Sequence, residues 1–170
     1  MVAGGHRKIL MADLKDMLSE MGFENVSTYI QSGNVIFSTN PKTPNAAIEE
    51  KMAAAIHTRF GHDVPVIVRT QAELEDAITT NPFYDPTHIE RLHLTFLKEL
   101  PGLAALEQIN SHDVSPDQFE VIGNHVFAIV ANKFRDTKLT NKFYEGNLKT
   151  SATTRNWKTV MKLGQLVQGK

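Results

Sequence analysis

Two short polar segments carry residue types from which a binding site could be built. Thr153-Thr154-Arg155-Asn156 stands directly before an apolar helical pattern that contains Trp157, Val160, Met161 and Leu163. A helix N-terminus offers unpaired backbone N–H groups and the positive end of the helix dipole. The Arg155 guanidinium, the two threonine hydroxyls and the nearby Lys158 ammonium add the donors and charge that a phosphate or carboxylate needs. A purely structural reading of the same residues is open. Thr or Asn would cap the helix, Arg155 would pair with an acid from the first half of the chain, and Trp157 would anchor the core. The second segment, Gln31-Ser32-Gly33-Asn34, lies between two β-rich runs. Gln31, Ser32 and Asn34 could present amides and a hydroxyl to a ligand, or they could be turn chemistry alone.

Other chemistries find little footing. The 170 residues include no cysteine, which removes disulfides, thiolate nucleophiles and Cys-ligated metal together. The seven histidines show no metal-ligand spacing, and His62-Asp63 and His112-Asp113 read as loop pairs. No metal and no cofactor is expected. His93 and Asp113 could act as acid or base, but no nucleophile–base pair can be read, and no catalytic residue is assigned. Gly4-Gly5-His6-Arg7-Lys8 is glycine-rich and basic but lacks the Lys-Ser/Thr ending of a phosphate-binding loop, and it reads as a frayed terminus. The aromatic runs Val35-Ile36-Phe37 and Val126-Phe127-Ala128 lack the basic and glycine flanks of an RNA-binding sheet.

Charge is segregated. Residues 133–170 hold nine Lys/Arg against Asp136 and Glu145, whereas the rest hold nine Lys/Arg against seventeen acids. The net charge of -1 therefore hides a basic C-terminal stretch that would attract anions, or that would neutralise the acidic part within the molecule.

The elements that must position these groups follow from periodicity. Leu10, Leu14, Met17, Leu18 and Met21 form one helical stripe, closed by Gly22. Residues 26–31 and 35–38 read as a β-hairpin. Thr43 as N-cap and Pro44 in the first turn open a helix with Ile48, Met52, Ile56 and Phe60, ended by Gly61. Residues 64–69 read as a strand entered at Pro65. Thr70 and Glu73 form a capping box before a short helix with Leu74, Ala77 and Ile78. A proline-bearing connector spans 81–91. A strand at 92–97 follows, then a helix at 101–110 with Leu103, Leu106 and Ile109 inward. Residues 119–122 and 125–130 pair about Gly123-Asn124, and helices at about 136–147 and 156–168 end the chain.

This order predicts an α+β fold of two packed ferredoxin-like (split βαβ) halves, 1–80 and 92–170. The first half begins directly with its helix. Its first strand, which should lie mid-sheet, is expected to be missing or replaced by another segment. An open slot of that kind would suit a partner strand and a homodimer.

Thr28-Tyr29-Ile30-Gln31-Ser32-Gly33-Asn34-Val35-Ile36-Phe37 and Thr153-Thr154-Arg155-Asn156-Trp157-Lys158-Thr159-Val160 go beyond generic patterning. With Lys8-Ile9-Leu10-Met11-Ala12-Asp13-Leu14 and the Gly22-Phe23 cap, they closely resemble the family known as domain of unknown function 1697. The resemblance implies a bacterial-type α+β protein with two related ferredoxin-like halves, and it implies no particular activity. Members of that family begin with an apolar strand running into an Arg-Gly-Ile-Asn-Val-Gly-Gly-type segment. Here Met1-Val2-Ala3-Gly4-Gly5 occupies only its end, and Val2 stands where the family has Asn.

The expectation is thus a cytoplasmic binding protein for a small anionic ligand. Its site would lie at the junction of the halves, lined by Gln31, Ser32, Asn34, Thr153, Thr154, Arg155, Asn156 and Lys158. Nucleic-acid binding through the basic C-terminal face is the alternative, and an enzyme of unidentified reaction the third reading. No run of about 18 apolar residues exists to span a membrane, so no membrane partner is expected.

Overall fold

A computed structural model describes residues 9–169. The segment Met1–Lys8, with its glycine-rich run and the position of the expected first strand, lies outside the described residues. The chain is a mixed α+β fold whose described residues form six α-helices and two sheets. It divides into two compact units, one of residues up to Glu73 together with Leu163 onward, the other Leu74–Lys162.

In the first unit, α1 (Met11–Glu20) buries Leu14, Met17 and Leu18 of the predicted stripe, whereas Leu10 stands at the cap position before the helix and is exposed. Gly22 follows at φ +89°, and Phe23 N–H donates back to the Leu18 carbonyl, 3.2 Å. β1 (Glu24–Tyr29) pairs antiparallel with β2 (Asn34–Ser38). α2 (Asn45–Phe60) packs Ile48, Met52 and Ile56 against them, with Phe23 and Val26 in the same core. The expected Thr43 cap is not formed. Pro44 occupies the cap position, and its side chain has no polar atom with which to bond the first-turn N–H groups.

Among the described residues, the strand expected at 64–69 is reduced to a single bridge. Val66, Ile67 and Val68 are buried, yet only Val66 makes a bridge. Two side chains of α2 supply hydrogen bonds that a ladder would otherwise make. Val68 N–H donates to Glu49 Oε1 at 2.9 Å, and Asn45 Nδ2 donates to the Val68 carbonyl at 3.4 Å. Glu49 is accordingly buried, at 4% exposure. α3 (Gln71–Thr79) does carry the expected capping box, Thr70 N–H to Glu73 Oε2 at 2.7 Å and Glu73 N–H to Thr70 Oγ1 at 3.2 Å.

In the second unit the order is β3 (Leu92–Leu97), α4 (Leu103–Asn110), β4 (Gln118–Ile122), β5 (His125–Ile129), α5 (Asn141–Leu148) and β6 (Ala152–Asn156). α6 (Trp157–Gln168) follows β6 without a loop. The sheet order is β4-β5-β3-β6, every neighbouring pair antiparallel. β3 is central and buried along its whole length. Leu97, Val126, Ala128 and Ala152 on one sheet face pack with Ile109 of α4 and Tyr144 and Leu148 of α5. The β4–β5 hairpin turns at Gly123 with φ +59°, which a two-residue turn of the II′ kind requires at its first position.

Three expectations for this unit are corrected. Thr153–Asn156 leads directly into the last helix, as expected, but it is also most of a β-strand that was not expected, its β-branched threonines paired with β3. Leu103, expected inward, is 81% exposed, because it opens α4 before the helix reaches the sheet. The helix expected from 136 starts at Asn141, where Thr140 Oγ1 accepts from Phe143 N–H at 3.2 Å. A single 3-10 turn, Phe134–Asp136, takes the place of its beginning.

Candidate functional site

Five of the expected site residues follow one another along β6 and the first turn of α6, but only Arg155 and Thr153 bond each other through their side chains. β6 sends alternate side chains to opposite sheet faces. Arg155 stands in register with Leu94, and Thr153 with Phe96, on one face. Arg155 Nη1 donates to Thr153 Oγ1 at 2.8 Å and to the Thr154 carbonyl at 2.9 Å. These bonds fix the half-buried guanidinium along its own strand. Burial pulls its pKa down to about 10, so it remains a cation at neutral pH.

Thr154 points to the other face and belongs to a different network. Its Oγ1 donates to Asn141 Oδ1 at 2.6 Å and therefore accepts from Thr95 Oγ1, also at 2.6 Å. Tyr144, 1% exposed, lies beside this chain. Burial pushes its hydroxyl above the ordinary tyrosine range, while Thr95 pulls weakly the other way. Thr95 is near enough for that influence but not in hydrogen-bonding geometry, so the Tyr144 hydroxyl has no partner.

Asn156 caps α6, its Oδ1 accepting from Thr159 N–H at 2.9 Å. Lys158 is exposed in the first turn, which contains no acidic residue. A cation there opposes the helix dipole, so the start of α6 accumulates positive potential. Trp157, the first residue of α6, is 1% exposed, and its indole N–H has no acceptor. The ring of Tyr84 lies 6.4 Å from the Trp157 ring, tilted by 46°. Three residues before Tyr84, Asn81 accepts from Phe83 N–H through Oδ1 at 2.9 Å, while its buried Nδ2 has no acceptor. Asn81 and the indole N–H were not legible as donors awaiting a partner. A tryptophan in a helical stripe signals core, and Asn81-Pro82 signals a turn.

The other three expected site residues occupy the β1–β2 hairpin of the first unit. Gln31 and Ser32 are exposed at its tip, between Ile30 at φ +52° and Gly33 at φ +77°. Asn34 turns inward, at 1% exposure. Its Nδ2 donates to the Tyr29 carbonyl at 3.2 Å and to Ser32 Oγ at 2.8 Å, closing the turn.

The histidine pairs differ from the sequence neighbours. Asp63 bonds His57 across the end of α2 at 2.7 Å, and His112 bonds Asn147 of α5 at 2.9 Å. Asp113 is exposed and accepts from Ser115 N–H at 3.0 Å. His93 is buried in β3 and stacked on Phe134, ring centroids 4.2 Å apart. Burial lowers its pKa, against the opposing pull of the Arg91 carbonyl. Among the described residues, no three His, Asp or Glu are grouped closely enough to hold a metal ion, and no helix is long and apolar enough to cross a membrane.

The second unit is thus an antiparallel four-stranded sheet with α4 and α5 packed on one face, and a strand–helix junction that carries cations. A family model described as "Protein of unknown function (DUF1697)" matches residues 1–127, about three quarters of the chain, and the protein belongs to that family. The match includes the hairpin of Gln31 and Ser32 and ends before β6. The chain is similar in structure to the conserved bacterial protein SP0830 from Streptococcus pneumoniae. The TM-score is 0.75 at 21% sequence identity, over 99% of this chain and 96% of that one. No curated protein matches.

Proposed function

We propose that the protein binds a small anion, a phosphate or carboxylate group, at the β6–α6 junction, and that it acts as a binding protein. The second unit serves as a ferredoxin-like, split βαβ platform whose fourth strand delivers Arg155 to the start of α6. The observation that carries the reading is the accumulation of positive charge there. A half-buried guanidinium, the exposed Lys158 and a helix N-terminus without first-turn acid adjoin one another in sequence. The indole N–H of Trp157, buried without an acceptor, supplies a further donor for a ligand oxygen. Thr153 steadies the guanidinium, and Asn156 leaves the remaining first-turn N–H groups to the ligand. Gln31 and Ser32, exposed on the hairpin of the first unit, are proposed as a polar binding surface of their own.

Thermal unfolding in the presence of inorganic phosphate, sulfate, citrate and nucleotides tests it. An anion at a hundredfold excess over its Kd stabilises by about 2.7 kcal/mol, which raises Tm by roughly 5–10 °C for a chain of this size. The shift is expected to vanish in Arg155→Gln and to shrink in Lys158→Ala. A shift retained in Arg155→Gln would overturn the reading.

A second reading, nucleic-acid binding, is favoured by the exposure of Lys133, Arg135, Lys138, Lys142, Lys149, Lys158 and Lys162. It predicts affinity that falls steeply with salt.

A further inference from the structure

We propose that the cleft beside Phe134 holds a nucleotide unit, with its base stacked on the Phe134 ring and its phosphate held by Lys133 and Arg135. This deepens the nucleic-acid reading by naming where and how a base is gripped. The cleft has a volume of about 690 Å³, in the range that accommodates a nucleotide. Its lining combines Phe134 with three cations, Arg91, Lys133 and Arg135, and the amide of Asn132. Glu90 and Asp136 also border it. Asp136 reaches Arg135 only at 3.7 Å, and both side chains are largely exposed, so that pair is weak.

Phe134 is unusual for its exposure. It is 42% accessible, although it lies at the centre of a charged surface loop. Its ring is rigidly backed by His93, at 4.2 Å and an interplanar angle of 20°. His93 is itself 7% exposed in the central strand, so the platform cannot tip away. Arg91 ties the floor of the cleft to the sheet, with Nε donating to the Val130 carbonyl at 2.8 Å and Val130 N–H donating to the Arg91 carbonyl at 3.0 Å. A fixed aromatic face flanked by cations is the arrangement on which bases stack irrespective of sequence. Asn132 has the amide donor and acceptor that a base edge uses. Neither a mononucleotide nor a single strand is singled out by this chemistry, since both carry a base and a phosphate.

The test is fluorescence anisotropy of a short fluorescein-labelled oligouridylate, with AMP, adenosine and inorganic phosphate as competitors. We expect saturable binding that Phe134→Ala weakens about tenfold or more, the loss typical of one stacked base. Lys133→Ala with Arg135→Ala should weaken binding and flatten its salt dependence. Unchanged urea midpoints are expected for the exposed Lys133 and Arg135 and a modest loss for Phe134→Ala, which gives up the His93 stack, and a circular dichroism spectrum verifies that each variant is folded. Competition by AMP at lower concentration than phosphate supports the cleft and identifies a mononucleotide as sufficient. Binding of the oligomer that AMP does not displace, but that Phe134→Ala weakens, supports a single strand as the source. Oligomer affinity unchanged in Phe134→Ala leaves general phosphate attraction standing and overturns the cleft. Phosphate competing as well as AMP, or no binding of either nucleotide probe, also overturns it.

Discussion

Thr95 of β3 and Thr154 of β6 face each other across the sheet with their hydroxyl oxygens 2.6 Å apart. The bond runs one way, because the Thr154 proton is committed to Asn141 at the start of α5. Edge strand, central strand and helix are therefore tied by a polar chain. Thr154→Val should leave the buried Thr95 hydroxyl without its acceptor and destabilise the protein by about 1–3 kcal/mol. Adding Thr95→Val should restore part of that loss, since no donor is then stranded. Urea unfolding of both single variants and the double variant reads the coupling. Losses that simply add would contradict the chain.

The capping box of α3 makes a pH-dependent contribution. Burial pushes the Glu73 carboxyl up, but Thr70 N–H, the Asn45 amide and Arg69 outweigh it, leaving it below the ordinary carboxylate value. A depressed carboxyl pKa contributes stability that is fully present above the unfolded-state value, about 4.3 for glutamate, and is lost as pH falls through the folded value. Thr70→Ala should cost about 1 kcal/mol at neutral pH. Glu73→Gln should make the stability curve shallower below about pH 4. An acid limb identical to that of the native protein would contradict the assignment.

His93 gives the opposite case of a lowered base. With its folded pKa below the unfolded value of about 6.5, the neutral ring is favoured by the fold. The unfolded chain binds more protons between the two values. Stability is therefore complete above the unfolded value and declines as pH falls from there towards the folded one. His93→Gln, which carries no titrating ring, should lose this decline. A titration of His93 by NMR that placed its pKa at or above the unfolded value would contradict it.

Local chemistry explains what could be read ahead of the structure. The α1 stripe, the Gly22 and Gly61 helix ends, the Thr70–Glu73 box and the Gly123-Asn124 turn depend on residues within a few positions of each other. β6 depends instead on Thr95, 59 positions before Thr154, and in isolation its threonines read equally well as a helix cap. The segment around Val66 had strand composition, but Glu49 and Asn45 bond the backbone of Val68. A carboxylate on α2 gives no sign in the sequence that it is to be buried. At the candidate site, Arg155 and its neighbours were visible as types. The stranded indole N–H of Trp157 and the Phe134–His93 stack were not, because both arise from contacts between distant elements.

Trp157 is the only tryptophan in the chain and the first residue of α6, so its emission reports directly on the proposed anion site. Titration of the native protein with inorganic phosphate at constant ionic strength is the most direct test of the central claim. The account predicts a saturable change in Trp157 emission that is absent from folded Arg155→Gln. No saturable change with any of the anions tested, or the same change in Arg155→Gln, would contradict it.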